Sequence, residues 1–297
     1  MKKYMVFTDC DLDGVGSYCV FKWFTGNKDI PCEITTVNNF RKTFTTWLQN
    51  NKLSNYERVF IFDLDVHECA DLVDDSKITI IDHHETHVDN AKYNKATTIL
   101  KTYTSCSKLI YKELSKVYPK VKLTPQQKLL ILMIDDYDCY ELKVPHSYDL
   151  NIVLWSYKGK RLEKFVRDFG TGFYGFTSFH QNMIDFNYKK IARLKRECKV
   201  HQASIPIGGD TYKFVSTFAD SCINEMADYI LDVHDGDIGL VVNVRTKKVS
   251  FRKNKRVKIN LGKLANRLTD GGGHEYAAGG MLNENFLEFT KLFQPID

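Results

Sequence analysis

Nowhere in the 297 residues do two cysteines stand three apart, although eight are present, at positions 10, 19, 32, 69, 106, 139, 198 and 222. The missing CxxC pair excludes zinc-ribbon and thioredoxin-like readings. Several of these thiols fall inside apolar helical patterns, where a buried free cysteine is the expectation. No apolar run is long enough to span a bilayer and no signal-peptide pattern is found. The sequence therefore places the protein in a reducing cytoplasm, without a membrane partner. Internal repeats and low-complexity tracts are also lacking. The charge excess of +5 is too small to announce a nucleic-acid binder, though it favours an anionic substrate. An apolar fraction of 43%, with 13% aromatics, excludes global disorder, and the length suits two domains.

What is present is an alternation. The runs MVF (5–7), EITTV (33–37), RVFIF (58–62) and KITII (77–81) read as buried strands. Between them VGSYCVFKWF, RKTFTTWLQNN and HECADLVDDS carry helical spacing. The pattern predicts an α/β fold with a mostly parallel sheet flanked by helices, and ligands beyond the carboxyl ends of its strands. From about 102 to 142 the spacing is helical, with Thr124 and Pro125 as cap and first turn of a helix through QQKLLILMI. The stretch MIDFNYKKIARLKREC reads as a helical connector. A smaller α+β unit follows, with YKFVSTF, SCINEMADYIL, DIGLVVNV, KVSFR, LGKLANRL and GGGHEYAAGG. The expected division is 1–190, a connector at 191–203, and 204–297.

The segment TDCDLDGVGS (8–17) places Asp9, Asp11 and Asp13 at alternate positions behind the first strand. A calcium EF-hand loop is excluded, because its twelfth position would be Val20 and a strand precedes it where a helix is required. Three further signals stand at element ends: Asp63 in RVFIFDLD, Asp82-His83-His84 in IIDHHE, and Asp135-Asp136 in LMIDDYD. Each acid alone is explained as a cap or turn residue. Four such signals at element ends point to a shared ligand. Carboxylates with imidazole and no thiolate suit manganese, magnesium or iron. So many acids suit two ions about 3.5–4 Å apart, which activate water and clamp a phosphate, so the reaction class is phosphoester hydrolysis. Neighbouring side chains diverge, so of His83 and His84 one is expected as ligand and the other as phosphate contact.

The stretch GGGHEYAAGG (271–280) is read as exposing backbone N–H groups at Gly271, Gly272 and Gly273 ahead of a helix start, with His274 as donor. Nine basic residues from Arg245 to Lys263 have no acid among them, and most belong to a solvated face. Arg252 stands apart, since a guanidinium matches phosphate oxygens bidentately.

Taken in order, these motifs resemble those of the DHH phosphoesterases, with Asp82-His83-His84 as the signature. The resemblance covers nearly the whole chain, Ser250-Phe251-Arg252 and Gly271–Gly279 matching the DHH-associated C-terminal domain. It implies two divalent metal ions, manganese foremost and magnesium next, held by Asp9, Asp11, Asp13, Asp63, His83 and Asp136, with Asp63 bridging. It also implies a catalytic set of Asp63, Asp82 and His84, with His84 approaching the phosphate, and a substrate held by Arg252, Gly271–Gly273 and His274. Many members carry His where this chain has Asp9, which bears on metal preference. Motif four offers both Asp135 and Asp136, and Asp136 is taken as the ligand. The compact form is most similar to the nanoRNase or oligoribonuclease branch, which degrades RNAs of a few nucleotides. The alternatives are a phosphatase of 3′-phosphoadenosine 5′-phosphate, a cyclic-dinucleotide phosphodiesterase, and a nucleotide-sequestering protein without turnover. A short RNA or small nucleotide is the expected partner, long duplexes are not, and a homodimer is expected by analogy.

Overall fold

The computed structural model describes residues 3–27, 29–273 and 275–296. The chain forms two compact units, Met1–Ile184 and Asp185–Asp297. In the first, β1 (Tyr4–Asp9), α1 (Leu12–Thr25), β2 (Cys32–Thr35), α2 (Val37–Asn50), β3 (Arg58–Phe62), α3 (Ala70–Val73), β4 (Ile78–Asp82), α4 (Glu85–Asn90) and β5 (Thr97–Leu100) alternate. Then come α5 (Cys106–Val117), α6 (Pro125–Asp138), α7 (Ser147–Ser156), α8 (Arg161–Phe169) and α9 (Ser178–Glu197), which crosses into the second unit. No helix of the described residues is long and apolar enough to cross a membrane.

The five strands pair in parallel in the order β2-β1-β3-β4-β5. Strand residues alternate between two cores, as a pleated strand requires. Val6, Phe62 and Ile81 pack with Val15, Leu109 and Ile134 on one face, while Phe7, Ile61 and Ile80 pack with Phe40 and Phe44 on the other. Full burial of each such side chain contributes about 1.5–3 kcal/mol. The winding reverses between β1 and β3, so a crevice opens beyond their carboxyl ends. Asp9 and Asp63 stand at those ends.

The expected strands form, with shifted bounds. EITTV stops at Thr35, because extended Thr36 caps α2, which starts at Val37. HECADLVDDS makes only a short 3-10 turn and the four residues of α3. It ends where the Asp74 carboxylate accepts the N–H groups of Asn94, Lys95 and Ala96. The predicted cap of α6 is a full capping box, Thr124 and Gln127 each accepting the other's N–H, at 3.2 and 2.9 Å.

In the second unit β6 (Val200–Ile207), β7 (Asp210–Phe218), α10 (Ile223–Val233), β8 (Ile238–Asn243), β9 (Lys248–Lys253), α11 (Leu261–Thr269), β10 (Gly272–Gly273), β11 (Ala277–Met281), α12 (Glu284–Thr290) and β12 (Gln294–Pro295) follow in turn. They form a seven-stranded mixed sheet, order β10-β11-β9-β8-β7-β6-β12. Among the described residues only β7 and β8, joined through α10, run parallel. The glycine-rich stretch is not a helix start but an antiparallel hairpin, β10 against β11. Close approach explains part of it: a Cβ on Gly271 would lie 2.1 Å from the Gly279 carbonyl oxygen, and Gly273 has φ of 141°.

Glycine also sets how tightly α1 meets β1. A Cβ on Gly14 would lie 2.4 Å from the backbone oxygen of Asp9, whereas on Gly16 it would meet only the Ile134 side-chain tip. Gly14→Ala is therefore expected to lower unfolding free energy by about 1–3 kcal/mol, and Gly16→Ala by less, because Ile134 can rotate aside. Urea titrations of the two variants check this, and equal midpoints would contradict it.

Candidate functional site

The loop from β1 to α1 explains the alternate aspartates locally. Asp9 Oδ1 accepts the N–H groups of Cys10 (2.5 Å) and Asp11 (3.3 Å). Asp11 caps α1 by accepting Gly14 N–H at 2.9 Å. Asp13, buried in the first turn, reaches the start of α5, its two oxygens accepting Cys106 N–H at 2.5 Å and Ser107 N–H at 2.9 Å. Each acid thus serves a turn or a helix N-terminus, where negative charge is favoured.

Beside them, Asp63 follows β3 with φ of 55°, a left-handed conformation uncommon outside glycine. Its N–H continues the ladder to the Ile81 carbonyl at 3.0 Å. Its buried Oδ1 has no hydrogen-bond partner among the described residues. That oxygen lies 3.2 Å from His83 Nε2, without a hydrogen bond. The same nitrogen stands 3.6 Å from Asp138 Oδ2 and 3.8 Å from Asp13 Oδ2.

The neighbouring imidazole is held differently. Fully buried Asp82 accepts from His84 Nδ1 at 2.8 Å and from His87 Nδ1 at 2.7 Å, and His87 Nε2 meets the Tyr93 hydroxyl at 2.8 Å. Burial opposes ionisation of Asp82, but the hydrogen bonds and charges of both histidines hold it far below the usual carboxylate range. Burial likewise opposes a charge on His84, and Asp82 overcomes it, lifting the imidazole to about 9. Asp65 extends this brace: it pairs with His67 at 2.6 Å and accepts from Thr86 at 2.5 Å.

The fourth motif differs from expectation. Asp136 does not reach the cluster; its oxygens accept Lys143 N–H at 2.9 Å and the Ser147 hydroxyl at 2.6 Å, at the start of α7. Asp135 is equally engaged, by Thr104, Ser105 N–H and Lys108. The acid that α6 brings to His83 is its last residue, Asp138. One signal was legible: Asp138 lies three residues from Asp135, on the same helix face and nearest the helix end. His87 and Asp65 carried no comparable signal, because their role is to hold other residues.

Two groups of side chains bring possible ligand atoms within 4.8 Å of one another, namely Asp63, Asp82, His83 and His84, and Asp13, His83 and Asp138. His83 belongs to both, while Asp9 and Asp11 belong to neither. Burial raises the carboxyls of Asp9, Asp13, Asp63 and Asp138, and neighbouring aspartates raise them further, with His83 drawing Asp13 partly back. Asp9 reaches about 6, and Asp63 and Asp138 stand well above their ordinary value. The nearby thiols remain protonated, Cys10 pushed by burial to about 11 and Cys106 well above its usual value. Mutually repelling oxygens, an unpartnered buried Oδ1 and one shared imidazole fit hard divalent cations.

The remaining expected residues lie in the second unit. Arg252, on β9, donates to Asn224 Oδ1 at 2.5 Å and to the Phe251 carbonyl at 2.9 Å. Gly271–Gly273 form the hairpin edge, and a Cβ on Gly272 would meet nothing, so packing does not require that glycine. His274 lies outside the described residues.

Known proteins share this architecture. The DHHA1 domain model matches residues 211–295. No curated protein matches the sequence. Among solved structures the chain is similar to a pGpG-specific phosphodiesterase from Vibrio cholerae, with TM-score 0.58 and 13% identity over 98% of this chain and 96% of that one. It is also similar to an exopolyphosphatase-related protein from Bacteroides fragilis, with TM-score 0.55 and 14% identity over 98% and 90%. A manganese complex of RecJ from Thermus thermophilus gives TM-score 0.55 and 12% identity, over 98% of this chain but 51% of that one. The chain therefore shares its fold with these three proteins, and its residues 211–295 match the DHHA1 domain.

Proposed function

We propose that this chain is a metal-dependent phosphoester hydrolase that cleaves short oligoribonucleotides to mononucleotides in the cytoplasm. The observation that carries the reading is the convergence of Asp13, Asp63 and Asp138 oxygens on His83 Nε2, at 3.8, 3.2 and 3.6 Å, from four separate elements of the chain. Asp13, Asp63, His83 and Asp138 are assigned as holders of divalent cations, manganese foremost, with Asp9 and Asp11 at the rim. Bound there, such ions supply an acidified water and charge stabilisation for the phosphate. The chain's own residues do the rest. Asp82 orients His84 and keeps it protonated, and a protonated imidazole in that place donates to a phosphate oxygen. Asp65, His67, His87 and Tyr93 hold Asp82 and its loop in place. The DHHA1 unit is assigned to substrate holding, through Arg252 and the glycine hairpin.

Short substrates are supported by one likeness: the similar Vibrio cholerae enzyme is specific for pGpG, a dinucleotide. A side-by-side assay with manganese tests the choice, using a dinucleotide, a longer RNA, a cyclic dinucleotide and 3′-phosphoadenosine 5′-phosphate. The dinucleotide is expected to be cleaved fastest, chelation to abolish turnover, and Asp63→Asn to lose nearly all of it. If the dinucleotide is the poorest substrate, the oligoribonuclease reading is wrong. Retention of ligand without product in the wild-type protein would point to sequestration instead.

Asp138→Asn separates function from stability. In the metal-free protein the raised carboxyls bind protons that the unfolded chain has released, so their contribution to stability falls as pH rises from about 4 to the raised value, about 6 for Asp9. Removing one charge at pH 7 should therefore raise the urea midpoint of chelated protein, while manganese affinity falls at least ~10-fold. Asp136→Asn should do the reverse, losing about 1–3 kcal/mol through Lys143 and Ser147 while manganese affinity is kept. Calorimetric manganese titration beside urea unfolding reads both, and loss of manganese affinity in Asp136→Asn alone would restore that residue as the ligand.

A further inference from the structure

Helix α8 opens with an arginine where helix electrostatics disfavours one. Its approach passes through Gly159 (φ 62°) and Lys160 (φ 46°), two consecutive left-handed residues, and delivers Arg161 to the first helical position. A cation there faces the positive end of the helix dipole, and a left-handed lysine is itself strained, so helix stability does not account for the arrangement. Packing does not account for it fully either. The guanidinium carbon of Arg161 lies 4.1 Å from the ring centroid of Trp155, and Nη1 donates to the Cys10 carbonyl at 3.2 Å. Its Nε is buried without a hydrogen-bond partner, and no carboxylate pairs with Arg161 among the described residues. Arg41, Arg167 and Arg256 each rest on an aspartate.

Cys10 stands between Asp9 and Asp11. The guanidinium is thus fixed to the backbone of the acidic loop while its charge is left unpaired. An acidic centre repels an anionic substrate, and a fixed cation at its rim offsets that repulsion. Arginine also offers planar N–H groups that match phosphate oxygens. Trp155 is 49% exposed, although one face carries the guanidinium. An exposed indole beside a cation is suited to a nucleobase next to its phosphate.

We propose that Trp155 and Arg161 form a nucleotide subsite of the first unit, Arg161 taking a phosphate and Trp155 the adjoining base. The inference deepens the hydrolase reading and rests on it for the identity of the substrate. Its test measures calorimetric binding of AMP, which needs no turnover, beside kinetics on a dinucleotide, both with manganese. Arg161→Gln is expected to weaken AMP binding and raise KM about tenfold, to change kcat less than about threefold, and to leave manganese half-saturation in place. The slope of log KM against log salt should fall by about 0.7, the loss of one single-strand phosphate contact. Arg161→Lys should regain part of the affinity. Trp155→Ala should weaken AMP more than inorganic phosphate. Unchanged AMP affinity in Arg161→Gln overturns the subsite, as does a loss matched by a shift in manganese half-saturation, which would make Arg161 a brace for the Cys10 loop. A wild-type protein that binds AMP through Arg161 yet cleaves no phosphodiester sinks the hydrolase reading and keeps the subsite. A wild-type protein that binds neither AMP nor a dinucleotide overturns both.

Discussion

Repulsion among buried carboxylates is the constraint around which the first unit is arranged. Asp13, Asp63 and Asp138 are carried to one place by α1, β3 and α6, and burial holds all three above their ordinary protonation range. A fold gains nothing from such a cluster on its own account. The surrounding structure tolerates it by giving some of the oxygens other partners, as at the start of α5, and by placing His83 between the acids. What remains unsatisfied is concentrated at Asp63, whose backbone is left-handed and whose Oδ1 has no partner. Strain and an unmet polar atom thus coincide at one residue, at the switch point of a parallel sheet.

The two histidines of the central motif show how adjacent positions acquire different chemistry. His83 faces carboxyls that are themselves disposed to stay protonated. His84 faces Asp82, which His87 keeps ionised from its other side. One imidazole thus faces three carboxyls and the other a single ionised one. The difference lies in the second layer, where His87, Tyr93, Asp65 and Thr86 fix a single aspartate.

Much of this was legible in the sequence, and the failures have physical reasons. The parallel sheet could be read because its central strands are buried on both faces and so appear as unbroken apolar runs. Strand β5 carries no such run, because Thr97 and Thr98 are exposed at a sheet edge, where no apolar pattern is required. Helices α7 and α8 escaped because they sit among glycines and aromatics that mimic loop composition. Asp9, Asp11, Asp13, Asp63, Asp82 and His83 stand out in the sequence by position, since each lies at or next to the end of an element, and of these the structure gathers possible ligand atoms of Asp13, Asp63, Asp82 and His83. Asp135 and Asp136 look equivalent in one dimension, whereas a helix turns them about 100° apart, and Asp136 faces Lys143 and Ser147. Glycine announces close contact without saying with what, so the hairpin at Gly271–Gly273 reads in one dimension like an approach to a helix.

The capping roles of Asp11 and Asp13 have an evolutionary corollary. Two helix beginnings, those of α1 and α5, are tied to this one acidic loop. A relative without any activity would still be selected to keep both residues, merely to remain folded. Persistence of the first motif in a distant sequence is thus poor testimony to a working enzyme. Asp63 Oδ1, by contrast, carries no such tie among the described residues.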